Sequence, residues 1–189
     1  MAIDYEQIRK DNIEEYGKGT RHLAFFEQLY SDGTHFIFEI VQNAEDAKAH
    51  KIEFRLFDDR LEVRHDGRPF NEKDVRGVCG VGESTKEGDL TQIGRFGIGF
   101  KSVYAFTNTP AIHCGNDHFE IRHYVRPFAV APQPVAKPWT TLIVIPFDKE
   151  GITKERAATE VANRLRCLSV RTLLFLASVT EIEYRLSNG

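Results

Sequence analysis

A stripe of acidic and amide side chains lies in the segment FEIVQNAEDA, at 38–47. At about 100° per residue, Glu39, Asn43 and Asp46 share one face of a helix, and apolar residues border that face on both sides. A carboxylate and an amide oxygen one turn apart suit a hydrated divalent cation and an attacking water molecule. The alternative is the solvated face of an ordinary amphipathic helix.

A glycine-rich segment, IGRFGIGF at 93–100, lies directly before a second helical pattern. Gly94, Gly97 and Gly99 let backbone N–H groups approach an anion, and the N-terminus of a helix adds a partial positive charge. Their order is neither that of the dinucleotide-binding motif nor that of the P-loop. The segment therefore indicates a phosphate site, with plain loop flexibility as the alternative.

A third segment, HDGRPF at 65–70, follows a predicted strand. Asp66 offers an acceptor carboxylate, Gly67 permits close approach, and Phe70 could lie against a planar ligand. The alternative is a structural turn, since Asp-Gly-x-Pro is a common turn sequence.

The elements that must position these segments follow from hydrophobic periodicity. Helices are predicted at 3–16, 21–30, 34–50 with Thr34 as its cap, 72–78 capped by Asn71, 97–106, 153–168 and 170–178. Strands are predicted at 51–57, 60–65, 111–115, 118–124, 140–147 and 180–186, with the first two forming a hairpin. A glycine-rich loop at 79–94 and a proline-rich link at 127–138 complete the chain.

These elements predict an α+β fold, in which a mixed, mostly antiparallel sheet carries helices on one face as a two-layer sandwich. With 189 residues and 41% hydrophobic content, the chain is expected to form one domain, 1–189. No internal repeat is evident. Strands and helices do not alternate regularly, so a doubly wound parallel sheet is not expected.

The bulk composition excludes several classes of function. A net charge of -3 gives no indication of nucleic-acid binding. Cys79, Cys114 and Cys167 form no metal or redox pair and favour a reducing compartment. The chain has no secretory segment and no stretch of ~20 apolar residues, so we expect a cytoplasmic protein without membrane contact.

Four segments, EIVQNAEDA, HDGRPF, IGRFGIGF and TTLIVIPF, resemble in order and spacing the four successive boxes of the GHKL ATPase superfamily, whose structure is the Bergerat fold. This superfamily includes gyrase, the ninety-kilodalton heat-shock chaperone, histidine kinases and the mismatch-repair protein MutL. The chain is most similar to the ATP-binding domains of sacsin and its prokaryotic relatives. The resemblance extends from residue 36 to about 184.

The resemblance implies roles for the helical stripe. Glu39 takes the position of the general base that polarises the water attacking the γ-phosphate of ATP. Asn43 takes the position whose amide oxygen binds Mg²⁺. Asp46 takes that of a further polar group near the nucleotide or its water shell.

The adenine-binding box departs from the family pattern D-x-G-x-G-[FM]. His65 stands at the position of the Asp, and Pro69 replaces the second Gly. The favoured acceptor for the adenine amine is Asp66, one position later as in sacsin-like domains, with His65 as a substitute or neighbour. Thr141 matches the threonine that contacts this acid or a water beside adenine.

The phosphate-binding parts are also implied by the resemblance. The loop GVGESTKEGDL corresponds to a lid that closes over the nucleotide, and Lys86 could reach a phosphate from it or remain solvated. Backbone groups of one segment would hold the phosphates: Arg95, Phe96, Gly97, Ile98, Gly99 and Phe100. The side chain of Arg95 could equally lie at the surface.

The function implied is a chaperone-like domain that binds ATP with Mg²⁺, hydrolyses it slowly and drives conformational change through lid closure. Downstream domains of a larger protein would be its partners, and in the chaperone, gyrase and MutL branches such a domain supplies a cation. ATP-dependent homodimerisation is a further expectation. The alternatives are a non-hydrolysing ATP sensor, a histidine kinase and a degenerate interaction module.

Overall fold

The computed structural model describes residues 3–28, 33–81 and 99–186. Within them lie five α-helices: Tyr5–Tyr16 (α1), Phe36–Asp46 (α2), Glu72–Cys79 (α3), Lys154–Arg166 (α4) and Val170–Leu173 (α5). The described residues also contain 3₁₀ helices at Arg21–Gln28, Gly33–His35 and Phe100–Ala105. The strands are Lys51–Leu56 (β1), Arg60–His65 (β2), Ala111–Cys114 (β3), Asp117–Arg122 (β4), Arg126–Ala129 (β5), Thr141–Pro146 (β6) and Glu181–Arg185 (β7).

One seven-stranded sheet organises the described residues, in the order β5-β4-β3-β6-β2-β1-β7. Every neighbouring pair is antiparallel except β1 and β7, which are parallel. The α+β class and the mixed, mostly antiparallel sheet are therefore confirmed, as is the hairpin of β1 and β2.

The core forms where the apolar face of the sheet meets the helices. Ile52 and Phe54 of β1 are buried there, as the alternation of apolar and charged residues along this strand predicts. Helix α4 lies across β1 and β2 and contributes Val161 and Leu165 to the same core. Each such side chain contributes about 1.5–3 kcal/mol through burial.

The opposite face of β1 and β2 carries charged residues. Glu53 is only 1% exposed because Arg55 (2.7 Å) and Arg185 (3.1 Å) lie over its carboxylate. Glu62 on the neighbouring strand accepts a hydrogen bond from Arg64 at 3.0 Å. Paired charges therefore cover this face, which helps to explain why the sequence places its apolar residues on one side only.

The start and end of α2 differ from the prediction. Thr34 lies in the preceding 3₁₀ helix, and its hydroxyl accepts a hydrogen bond from Arg164 of α4 (2.9 Å) instead of capping α2. The helix ends at Asp46 rather than near residue 50, because Lys48 adopts a left-handed conformation with φ of 58°. This reversal lets the chain turn into β1.

Part of the predicted proline-rich link is a strand. β5 pairs with β4 at one edge of the sheet, with Pro127 opposite Ile121 and Phe128 opposite Glu120. Proline lacks the N–H that an interior strand needs, but an edge strand tolerates it. Because of these prolines, the sequence analysis did not predict β5.

Two predicted helices, 21–30 and 97–106, appear as 3₁₀ helices within the described residues. In the second of them the N–H of Ser102 donates to the carbonyl of Gly99 at 3.1 Å, the shorter-range bond of this geometry. Asn71 caps α3 as predicted, in a reciprocal arrangement with Asp74.

Candidate functional site

The carboxylate of Glu39 lies directly against the α-carbon of Gly99. Glu39 is half-buried in the first turn of α2, which packs on the 3₁₀ helix that begins at Phe100. A Cβ built onto Gly99 would overlap the carboxylate carbon and Oε2 of Glu39. Only glycine at this position leaves room for the carboxylate in this orientation.

A histidine one turn earlier contacts the same carboxylate. Nε2 of His35 lies 3.0 Å from Oε1 of Glu39, and their side chains are 35% and 26% exposed. Because a carboxylate accepts, Nε2 must carry the proton in this hydrogen bond. This partner is detectable in the sequence, since residues four apart face each other on a helix, but the sequence analysis missed it.

The other two members of the predicted stripe follow Glu39 along α2. Asn43 and Asp46 are half-buried, and the prediction that they line a cleft stays a prediction. Burial raises the pKa of Asp46, and a hydrogen bond with Gln42 acts in the opposite direction.

The end of β2 meets the other end of α2. A Cβ on Gly67 would lie 2.7 Å from the carbonyl oxygen of Ala47, and the N–H of Arg68 donates to that oxygen at 2.8 Å. Glycine is therefore required here for the close approach of the two backbone segments, and a role for Gly67 in admitting a ligand stays a prediction. The polar face of α2 accordingly runs from Gly99 near its start to the Gly67 turn just beyond its end.

Asp66 has a structural task in this turn. Its Oδ1 accepts hydrogen bonds from the backbone N–H groups of His50 (2.8 Å) and Lys51 (2.9 Å), and so fixes the entry to β1. This contact matches the alternative that HDGRPF is a structural turn. A role for Asp66 in binding adenine stays a prediction.

His65 and Thr141 lie opposite each other on β2 and β6, so their side chains share one face of the sheet. Nδ1 of His65 accepts a hydrogen bond from the N–H of Gly67 at 3.2 Å, which leaves Nε2 as the protonated nitrogen of the neutral ring. Burial lowers the pKa of His65 to about 4, so the ring is neutral at physiological pH.

The hydroxyl of Thr141 is fully buried and has no hydrogen-bond partner in the described part of the chain. An unsatisfied buried polar group costs about 1–3 kcal/mol. A polar ligand atom or a bound water molecule at this position would remove that cost. The arrangement fits a site that receives a hydrogen-bonding ligand on the sheet face shared by His65 and Thr141.

Phe70 and Phe100 contribute to core packing, and their predicted roles at a nucleotide stay predictions. Phe100 is buried in the core, and Phe70 is half-buried against it. The remaining predicted residues lie outside the described ranges: Lys86, Gly94, Arg95, Phe96, Gly97 and Ile98.

Glu45, which the sequence analysis did not single out, is a buried carboxylate on α2. It accepts hydrogen bonds of 2.9–3.1 Å from three successive backbone N–H groups, those of Ala177, Ser178 and Val179. These bonds lower the pKa of Glu45 against the opposing effect of desolvation, which is the largest single influence. The helix that carries the stripe is thereby tied to the segment entering β7.

Lys101 is a second buried charge that the sequence analysis missed. Its Nζ is fully buried and donates to the carbonyls of Val78 (2.6 Å) and Tyr124 (2.5 Å). Burial lowers the pKa of this lysine to about 8. The side chain therefore connects the end of α3 to the turn between β4 and β5.

A cavity of about 450 Å³ lies elsewhere, and Arg21, Tyr104 and Arg122 contribute to its lining. The predicted site residues do not contribute to that lining. The described ranges contain no group of three or more His, Cys, Asp or Glu side chains placed to hold a metal ion.

Among the helices in these ranges, none combines the length and apolar character needed to cross a bilayer.

Sequence comparison shows that this chain is similar to a sacsin-like family. Residues 63–122, which run from β2 to the end of β4, match the model of the Sacsin domain family.

Two curated proteins are similar to this chain. Protein NO VEIN of Arabidopsis thaliana is 32% identical over 186 residues, a match that covers 84% of this chain and 7% of that protein. Sacsin of Homo sapiens is 38% identical over 117 residues, covering 53% of this chain and 3% of that protein. The chain therefore corresponds to a small part of much larger relatives.

Proposed function

We propose that this chain is a GHKL-type domain of the Bergerat fold that binds ATP with Mg²⁺ and hydrolyses it slowly. The observation that carries the proposal is the half-buried carboxylate of Glu39, held against Gly99 with Asn43 one helical turn further on. The match of residues 63–122 to the Sacsin domain family supports the proposal, because these residues include HDGRPF and IGRFGIGF.

The residues around this helix suit a magnesium-bound triphosphate. Asn43 would offer its amide oxygen to Mg²⁺, a hard ion that prefers oxygen ligands and keeps several waters. When bound, the ion would supply positive charge to the phosphate oxygens. Glu39 would orient a water molecule and receive its proton, while the absence of a side chain at Gly99 leaves the carboxylate room to do so.

The adenine end would lie on the face of β2 and β6 that carries His65 and Thr141. There the unsatisfied hydroxyl of Thr141 stands beside the neutral ring of His65, and Gly67 brings the chain close to α2. Asp66 already accepts hydrogen bonds from two backbone N–H groups. It would contribute to adenine binding through its second oxygen or through a bridging water. The ligand-binding residues are thus divided between the two ends of one helix.

In its full-length protein the domain would couple nucleotide binding to conformational change. Closure of the GVGESTKEGDL segment, docking of downstream domains and ATP-dependent homodimerisation are the parts of this proposal that concern partners. That both similar proteins are far longer than this chain supports a role for neighbouring domains.

The proposal is tested by measuring ATP affinity and phosphate release in the wild type, Glu39→Ala and Asn43→Ala. We expect Glu39→Ala to bind ATP but to lose about 10²–10⁴-fold in hydrolysis, the usual contribution of a general base. Asn43→Ala should weaken binding of Mg-ATP more than binding of ATP in the presence of a chelator.

The matched control is Glu155→Ala, because Glu155 is an exposed glutamate on α4. Undiminished hydrolysis in Glu39→Ala would refute the assignment of the base. Tight binding without phosphate release from the wild type would instead favour a nucleotide sensor, in which occupancy only shifts a conformational equilibrium. A stable phosphoprotein formed from labelled ATP would indicate a kinase.

A further inference from the structure

Strand β7 forms one edge of the sheet in the described part of the chain, and no other described strand pairs with its outer side. The N–H of Glu181 donates to the carbonyl of His50 at 3.1 Å, so the backbone groups of Glu181 point toward β1. Because this direction alternates along a strand, the backbone groups of Ile182 and Tyr184 point away from β1. Their donors and acceptors have no strand partner among the described residues.

The side chains of β7 divide between two faces of the sheet. Glu183 and Arg185 lie on the charged face, with 48% and 64% of their side chains exposed. Ile182 and Tyr184 lie on the face toward the core, because they pair with buried residues of β1. Tyr184 is nevertheless 40% exposed. An edge with charges on one face and an exposed aromatic ring on the other suits a partner strand of matching pattern.

The sequence of β7 is complementary to itself in one antiparallel register. A two-fold axis at Tyr184 places Glu183 opposite Arg185 of a second copy, and this pair occurs twice. The same axis places Ile182 opposite Leu186, another half-buried apolar residue. Tyr184 lies opposite its own copy, with which it exchanges N–H and C=O hydrogen bonds. Opposite charges, apolar side chains and aromatic rings that face each other across two strands stabilise such a pairing.

Other pairings of this edge are less favourable. An axis at Glu183 or Arg185 places two like charges directly opposite each other. An axis at Ile182 places Glu181 opposite Glu183 twice. The other edge of the described sheet is β5, where Pro127 lacks the N–H that a new ladder requires. Pairing of β7 with β5 is also heterologous, so it leads to rings or filaments rather than to a closed pair.

We propose that two copies of this chain associate through their β7 edges, about a two-fold axis at Tyr184, and so join their sheets into one. Arg185 then binds Glu183 of the second copy in addition to Glu53 of its own chain, which lies 3.1 Å away. One strand on each side buries less area than a permanent dimer needs, so the association is weak and depends on concentration. It needs no nucleotide and no residue of the proposed ATP site.

Charge reversal tests this register in the absence of nucleotide. In sedimentation velocity between about 10 µM and about 1 mM protein, we expect the wild type to show a reversible monomer–dimer equilibrium. Glu183→Arg and Arg185→Glu each place like charges opposite each other twice, so each should raise the dissociation constant at least about tenfold. An equimolar mixture of the two variants should form a heterodimer, because each supplies the charge that the other lacks. Glu155→Arg, at an exposed position on α4, is the control and should dimerise as the wild type does.

A disulfide tests the position of the axis. Cys167→Ser removes the exposed native thiol and serves as the background. In that background Tyr184→Cys places two thiols on opposed residues, whose Cα atoms are about 5.5 Å apart in such a pair. We expect mild oxidation to give a covalent dimer of Tyr184→Cys but not of Glu181→Cys, which lies away from the axis.

Several results overturn the proposal. A wild type that stays monomeric at about 1 mM does so, as do species larger than a dimer, which indicate heterologous pairing. A mixture that stays monomeric although both charge variants keep the circular dichroism of the wild type does so as well. If either charge variant fails to fold, the two cysteine variants decide, and equal cross-linking of both, or none, contradicts the proposed axis. A wild type that releases no phosphate from ATP refutes the ATPase proposal and leaves this inference standing.

Discussion

The absence of a side chain at Gly99 matters as much as the carboxylate of Glu39 beside it. We predict that Gly99→Ala moves the carboxylate of Glu39, because the added methyl group would occupy its place. The end of a glutamate side chain can shift, so the loss of stability should be only about 1–2 kcal/mol. The effect on phosphate release should be about 100-fold, since a displacement of about 1 Å can cost that much.

Gly19→Ala is the matched control for this substitution. An added Cβ at Gly19 would meet no atom within 4 Å, so neither stability nor hydrolysis should change. Hydrolysis that survives in Gly99→Ala would show that the position of the carboxylate seen here is not the one used.

His65 should make the protein sensitive to mild acid. The unfolded chain binds a proton at this residue near its ordinary pKa of 6.5, whereas the buried ring resists protonation until about pH 4. The free energy of unfolding therefore falls as the pH drops through that interval, by about 3 kcal/mol in total. Urea denaturation across this range should show the slope in the wild type and in His22→Gln but not in His65→Gln.

Among the elements, α2 depends on a contact with the far end of the chain. Glu45→Gln removes the negative charge that accepts hydrogen bonds from three successive backbone N–H groups. We predict that the free energy of unfolding falls by about 2–3 kcal/mol. Because the folded-state pKa of Glu45 is lowered, this stability is present above the ordinary pKa of a glutamate and is lost as the pH falls below it.

Chemical denaturation at neutral pH and under acid would measure both effects of Glu45→Gln. The exposed Glu155→Gln should leave the midpoint unchanged. Equal midpoints for wild type and Glu45→Gln would mean that the 177–179 segment does not stabilise α2.

The strands with one apolar and one charged face were predictable, because apolar and charged residues alternate regularly along β1 and β2; the burial of Glu53 and Glu62 under arginine side chains on the charged face was not. β5 was not predictable, because Pro127 lies within it and proline is unusual in a strand. The stripe on α2 follows from helical periodicity alone. By contrast, the contact between Glu39 and Gly99 joins residues far apart in sequence and depends on how two helices pack.

The pairing of β2 with β6 likewise decides which residue faces Thr141. A one-residue change of register would turn a different side chain toward it, and short strands carry little information about register. The structure places His65 there and directs Oδ1 of Asp66 to the backbone of β1. The sequence analysis alone left open whether His65 or Asp66 would contact adenine.

For the whole molecule, Lys101 connects three parts of the fold through one buried ammonium group. The unfolded chain keeps this proton up to about pH 10.5, whereas the folded protein releases it near pH 8. The unfolded state therefore binds more protons at this residue between these values, and the contribution of Lys101 to the free energy of unfolding should rise with pH, by about 3 kcal/mol in total. Lys101→Met should lack this rise.

Thermal or urea unfolding of the two proteins between pH 7 and about 10.5 would measure the difference. Lys154→Met, at an exposed position on α4, should follow the wild type. Parallel curves for wild type and Lys101→Met would show that the ammonium group is not buried in solution.

As an edge strand of the sheet, β7 affects how this chain associates with other chains. β7 is the terminal strand of the sheet as described, and one row of its backbone groups can template a further strand. Alternate positions along it carry charge, Glu181, Glu183 and Arg185, and Lys51 pairs with the first of them. Such charges oppose indiscriminate edge-to-edge aggregation, so a strand that adds there must bring complementary charges in register.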